Sequence, residues 1–140
     1  MGQRFSNRTI AIVDDDPDIL QSMEMAFRHE GATVRTATDG LGALHLVRES
    51  KPDLLVLDMM LPRSSGLLVL EKFKEEGIVV PVIMVTANQG KRHREFALGL
   101  GAQRYLFKPI SLVRLLETAE SLLGAGPSGR ESAATPGADA

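Results

Sequence analysis

Five short apolar runs alternate along this chain with five segments whose apolar residues recur every three or four positions, and this alternation most limits the folds open to it. Thr9 to Val13, Ala32 to Thr36, Leu54 to Leu57, Pro81 to Val85 and Gln103 to Phe107 have the length and side chains of strands. Leu54-Leu55-Val56-Leu57 carries no polar residue, as a strand covered on both faces requires. Strand and helix in that order, five times over and joined by right-handed crossovers, imply an α/β fold: a five-stranded parallel sheet, doubly wound, with helices on both faces.

The helices have physical start and stop signals. Asp16 is placed to cap the first, with Pro17 at the position where a missing N–H costs nothing, and Ile19, Leu20, Met23, Ala26 and Phe27 share a face before Gly31 stops it. The second runs from about Gly40 to Glu49 with Leu41, Leu44 and Val47 inward. The third runs from Gly66 to Glu76, ended by Gly77, and the fourth from Arg92 to Leu100, ended by Gly101. The fifth, Ser111 to Leu123, has Leu112, Leu115, Leu116, Ala119, Leu122 and Leu123 as its apolar set. Met23, Met25, Met59, Met60 and Met84 are assigned to the core or to helix faces. Residues 1–7 are taken as an N-terminal extension and residues 8–123 as the folded unit. Residues 124–140, rich in Gly, Ala, Pro and Ser without periodicity, are expected to be a disordered tail or linker.

At 140 residues one domain is expected, and no cysteine means no disulfide framework and no thiolate metal site, which suits a reducing cytoplasm. A net charge of −2 gives no global attraction to nucleic acid or membrane. No apolar run reaches the roughly 18 residues of a membrane span, and the first residues lack a signal-peptide core. Met1 to Ser6 matches the loose myristoylation pattern, which is short and common. Gly40-Leu41-Gly42 opens like a dinucleotide fingerprint but has His45 at the third glycine position, so a structural role is expected. His29, His45 and His93 have no paired ligand spacing.

Chemistry concentrates at the C-terminal ends of four strands, the edge where open parallel sheets bind ligands. Asp14-Asp15 close the first strand, Asp58 the third, Thr86 the fourth and Lys108-Pro109 the fifth. Taken singly, these residues have plain structural readings as caps, turn formers or strand residues. Together, Ile12-Val-Asp-Asp-Asp16, Leu57-Asp-Met-Met-Leu-Pro62, Met84-Val-Thr-Ala87 and Tyr105-Leu-Phe-Lys-Pro109 resemble a receiver domain of two-component response regulators, a flavodoxin-like (βα)5 fold, over about Arg8 to Leu123.

The resemblance implies that Asp58 accepts a phosphoryl group from a histidine kinase or phosphotransfer protein, forming an acyl phosphate. It implies a Mg²⁺ ion held by carboxylates of Asp15 and Asp58 and the backbone carbonyl of Met60, with Asp14 acting through water. Lys108 and Thr86 would stabilise charge spreading over the phosphoryl oxygens, and the Lys108–Pro109 bond would be cis. Thr86 would then move toward the phosphoryl group with Tyr105 following, Ala87 beside them, so that the face of helix 4, strand 5 and helix 5 changes for a downstream protein partner or a homodimer. The resemblance implies a signalling module, with self-catalysed phosphoryl transfer and autodephosphorylation its sole chemistry, that contacts neither nucleic acid nor membrane directly. No output domain follows in this sequence, so a stand-alone receiver is expected; a longer chain would make the tail a linker.

Two other classes stand beside this one. A haloacid dehalogenase-type phosphotransferase also uses a strand-end Asp, but needs a second Asp where this chain has Met60. A degenerate receiver scaffold would lack an acid, the Thr or the Lys, and all are here. Lys91-Arg92-His93-Arg94, at the start of helix 4, has two readings. It is a solvated charged face, or its cations oppose the macrodipole by about 0.3–1 kcal/mol each and leave a frayed Gly90 to Arg94 turn for an acidic partner.

Overall fold

The computed structural model describes residues 2–87 and 90–124. Ten elements follow in strict alternation: β1 (Thr9–Val13), α1 (Pro17–His29), β2 (Thr33–Ala37), α2 (Gly40–Ser50), β3 (Leu54–Asp58), α3 (Gly66–Glu76), β4 (Val82–Thr86), α4 (Lys91–Gly99), β5 (Arg104–Phe107) and α5 (Leu112–Leu123). The strands form one parallel sheet in the order β2-β1-β3-β4-β5. Strand and helix ends differ from expectation by one or two residues, the usual uncertainty where chains fray.

Period-two alternation divides the core. Ile10 and Ile12 of β1, Leu54 and Val56 of β3, and Ile83 and Val85 of β4 pack with Met23 and Phe27 of α1 and with Leu115 and Ala119 of α5. Ala11 and Val13, Leu55 and Leu57, and Val82 and Met84 face Leu44, Val47, Val69, Leu70, Phe73 and Ala97 on α2, α3 and α4. All five residues of β3 are buried, as its apolar run required. Asp16 accepts from the amides of Asp18 and Ile19, Asp39 from Gly42, Ser65 from Leu68 and Ser111 from Arg114, so four helices begin on a side-chain cap.

Two assignments change. Leu41 is 54% exposed, because α2 turns Ala43, Leu44 and Val47 inward and leaves Leu41 on the outer side of its first turn. Met60 is also exposed, in the β3–α3 loop rather than in the core or on a helix, whereas Met25 lies on the outer face of α1, a helix face as assigned. As expected, Gly31 stops the first helix: α1 closes at His29 with Glu30 as its C-cap and Gly31 just beyond at φ 92°.

Residues 2–7, expected as an extension, are tied to the body. Phe5 is 1% exposed with its ring 5.2 Å from that of Phe27, and the amides of Gly2 and Phe5 donate to carbonyls at the end of α1. Arg8 is buried beside them; its Nη2 donates to the Leu123 carbonyl at 2.9 Å, and its Nη1 lies 3.9 Å from Asp53. The tail expectation falls, beyond Gly124, on residues 125–140, outside those described.

Phe5→Ala is therefore expected to lose about 3–5 kcal/mol, as for other buried Phe truncations. Urea denaturation with an unchanged m-value would measure it; a loss below 1 kcal/mol would mean that the segment is dispensable to the fold.

Candidate functional site

Four strands deliver the expected side chains to one edge of the sheet. Asp14 follows β1 and is wholly buried; Asp15, next to it, is exposed; Asp58 ends β3 and is 3% exposed. One carboxylate oxygen from each of Asp14, Asp15 and Asp58 lies within 4.8 Å of the other two. Lys108, just past β5, places Nζ 3.0 Å from Asp14 Oδ2 and 3.3 Å from Asp58 Oδ2. The Lys108 N–H donates to the Thr86 carbonyl, which aligns the two strand ends, and the Lys108–Pro109 peptide is cis as the resemblance implied.

Local backbone orients the acids. Asp14 Oδ1 accepts the Asp16 N–H at 2.9 Å, and Asp58 Oδ1 accepts the Met60 N–H at 3.2 Å. Asp14 Oδ2, buried, has the ammonium near it but no aligned hydrogen bond. A buried carboxylate oxygen left in that condition, beside two more carboxylates, is the donor set that a hard divalent cation takes. The residues present therefore fit Mg²⁺. Met60's side chain is exposed, and its main chain meets the cluster through the N–H on Asp58.

The electrostatics are asymmetric. Burial first, then the charge of Asp14, push the Asp58 carboxyl above its usual range, and Lys108 and the Met60 N–H pull it back without winning. Burial pulls the Lys108 ammonium down, but Asp14 and Asp58 together hold it above the usual 10.5. Lys108 is thus a fixed cation at any physiological pH, and its contribution to stability is lost only as pH rises through that raised value. Such an edge can bind a cation, place a nucleophilic carboxylate and stabilise a developing anion.

Thr86, at the end of β4, is fully buried, and Ala87 after it is exposed. Tyr105, partly buried on β5, sets its hydroxyl 3.9 Å from the Met59 sulfur and packs edge-on against Phe107 at 5.4 Å. Burial raises its hydroxyl pKa, and the charge of nearby Arg94 opposes that rise. Lys91, Arg92 and Arg94 are exposed in the first turn of α4. That helix is formed from Lys91 but starts at Gly90 with no side-chain cap. Arg94 lines a cleft with Tyr105, Arg104 and Arg114 between α4, β5 and α5. Asn88, which follows Ala87, lies outside the described residues. Met59, assigned to the core, is buried there beside Asp58 and also meets the Tyr105 hydroxyl. Among the described residues no helix is long and apolar enough to cross a membrane.

Comparisons with known proteins point one way. Residues 10–120 match the response regulator receiver domain. The probable transcriptional regulatory protein TcrX of Mycobacterium tuberculosis is 38% identical over 115 residues, 82% of this chain and 49% of that protein. The response regulator MprA of Mycobacterium ulcerans is 38% identical over 114 residues, 81% and 49% of the two chains. The chain thus spans about half the length of the curated relatives it matches. Among solved structures, a CheY-like response regulator receiver domain protein from Methanospirillum hungatei aligns with TM-score 0.77 and 32% identity, covering 82% of this chain and 92% of that one. A Francisella response regulator receiver domain aligns with TM-score 0.76 and 31% identity, covering 79% and 92%.

Ionised Asp58 has a raised pKa, so its charge costs stability above the normal carboxyl range, and protonation on acidification removes the cost. Asp58→Asn in EDTA at pH 7 should therefore melt above the parent, each 1 kcal/mol relieved adding roughly 4 °C. The gap should close as pH falls toward 4. A variant that melts lower at pH 7 would show Lys108 pairing to outweigh burial and repulsion.

Proposed function

Since the chain belongs to the response regulator receiver family, we propose that it is a phosphorylation-driven switch in a two-component relay, with Asp58 as the phosphoacceptor. The observation that carries this is the convergence of Asp58 with Asp14, Asp15 and Lys108 at one buried sheet edge. An Asp58 oxygen attacks phosphorus of a phosphohistidine on a kinase or phosphotransfer protein; the P–O bond forms as the P–N bond breaks, and the imidazole, already protonated on its other ring nitrogen, departs neutral. Mg²⁺, when bound, supplies the charge that lets two anions approach. Asp15, Asp58 and the Met60 carbonyl would hold it, with Asp14 acting through water. Lys108 keeps its charge on the phosphoryl oxygens, and Thr86 donates its hydroxyl there. Hydrolysis of the acyl phosphate resets the site. The chain acts in the cytoplasm as a signalling module, with that self-catalysed transfer and dephosphorylation its sole chemistry.

Output is assigned to the α4, β5 and α5 face, read by a downstream protein or a second copy. The Tyr105 hydroxyl on Met59 supports the assignment, because it puts the aromatic ring one residue from the phosphoacceptor. A dehalogenase-type phosphatase is disfavoured by the exposed thioether of Met60, where that chemistry needs an acid.

With Mg²⁺ and a small-molecule phosphodonor, mass spectrometry should show one added phosphate, removable by hydroxylamine. It should be absent from Asp58→Asn and absent in EDTA. Retention in either case rules Asp58 or the metal out.

Beryllofluoride should shift the ring resonances of Tyr105, the single tyrosine of the chain. A bulky residue at exposed Ala87 should leave the melting temperature within about 2 °C yet suppress that shift, since it obstructs only the activated arrangement. An unmoved Tyr105 in the parent would exclude this route.

A further inference from the structure

The loop from Met59 to Gly66 is held from outside by the start of α2, a contact that the phosphorylation chemistry does not explain. The Gly40 N–H donates to the Pro62 carbonyl at 3.3 Å. A Cβ on Gly40 would stand 2.0 Å from the Ser64 carbonyl oxygen, so the two backbones touch and no side chain fits between them. Arg63 has φ 71°, a left-handed conformation that L residues seldom adopt, and its Nε lies 3.4 Å from Asp39 Oδ2. Asp39 uses its other oxygen, Oδ1, to cap α2 at the Gly42 amide, 2.7 Å away. One carboxylate thus fixes the helix start and the loop crest together. The same loop carries Met60, whose N–H already orients Asp58.

We propose that Asp39 and Gly40 are positioning residues for the cation site: they hold the 59–66 loop against α2 and so hold the Met60 peptide where its carbonyl can serve as a ligand. This rests on the assignment of Met60, Asp15 and Asp58 as the Mg²⁺ ligands. The physical reason is leverage. Its ends are already tied together, the Gly66 N–H donating to the Met59 carbonyl at 2.8 Å, but a loop held only at its ends could swing its crest outward, and the Gly40–Pro62 and Asp39–Arg63 contacts remove that freedom before the ion arrives, so less order is lost on binding. It also accounts for the Gly40-Leu41-Gly42 sequence without a nucleotide. Gly40 is there for close backbone approach.

The test is a MgCl₂ titration of the full 140-residue chain, with no phosphodonor, followed by amide NMR shifts and paired with thermal melting. Gly40→Ala should raise the Mg²⁺ Kd about tenfold, the scale of outer-shell perturbations at metal sites. Asp39→Asn keeps the helix cap but turns a donor toward Arg63, and should raise Kd about threefold, the scale of an exposed ion pair. Gly77→Ala is the stability control: Gly77 has φ 70° with open space around its Cα, so the variant is strained yet far from the loop, and should melt lower with parental Kd. Parental Kd in folded Gly40→Ala, or in Asp39→Asn should Gly40→Ala not fold, overturns the proposal, as does an equal rise in Gly77→Ala. If Asp15→Asn leaves the parental Kd unchanged, the ligand assignment fails and the proposal with it, whereas loss of binding in Asp15→Asn alone defeats only the anchor.

Discussion

The Lys108 ammonium, 3.0 Å from one buried carboxylate and 3.3 Å from another, is the interaction on which the site depends. Asp14 and Asp58 are each almost without solvent, and like charges in a poorly hydrated setting repel strongly. A cation set between them offsets that repulsion. Yet Lys108 offsets the repulsion only in part, since the Asp58 carboxyl still sits above its usual range. The residual repulsion favours a second cation beside Lys108.

That arrangement is a product of sheet order. Between β1 and β5 lie β3 and β4, and pairing of Asp58 with Val85 and of Thr86 with Phe107 brings their ends level. The opposite edge is held separately. There, buried Arg8 reaches the last carbonyl of α5, where a cation complements the helix dipole, while Asp53 accepts the Thr9 amide at 2.8 Å. One edge is therefore fixed by hydrogen bonds between strand starts and a helix end. The other holds its charges close to imbalance, which is where a change of ligand has most effect.

The helices differ in how firmly they are seated. α1, α2, α3 and α5 each begin on a side-chain cap, and each buries two or more residues. α4 begins on Gly90 without one, has no acid in its first turn and buries only Ala97. Phe96 and Leu98 on its surface are 52% and 39% exposed. Local opening is least costly where capping and buried contacts are fewest, and here that place adjoins Thr86 and Tyr105.

From the residues alone came the strand and helix order, the capping by Asp16, the buried character of β3 and the set Asp14, Asp15, Asp58, Thr86 and Lys108. These are legible because periodicity, caps and strand-end chemistry are local signals. Tertiary structure decided the rest. Leu41, Met25 and Met60 are apolar yet exposed, since composition does not say which side of a turn faces the core. Phe5 belongs to that core because α1 happens to return beside it. Gly40 and Asp39 meet Ser64 and Arg63 across more than twenty residues of sequence, a juxtaposition that no local pattern encodes and that only the packing of α2 against the β3–α3 loop creates.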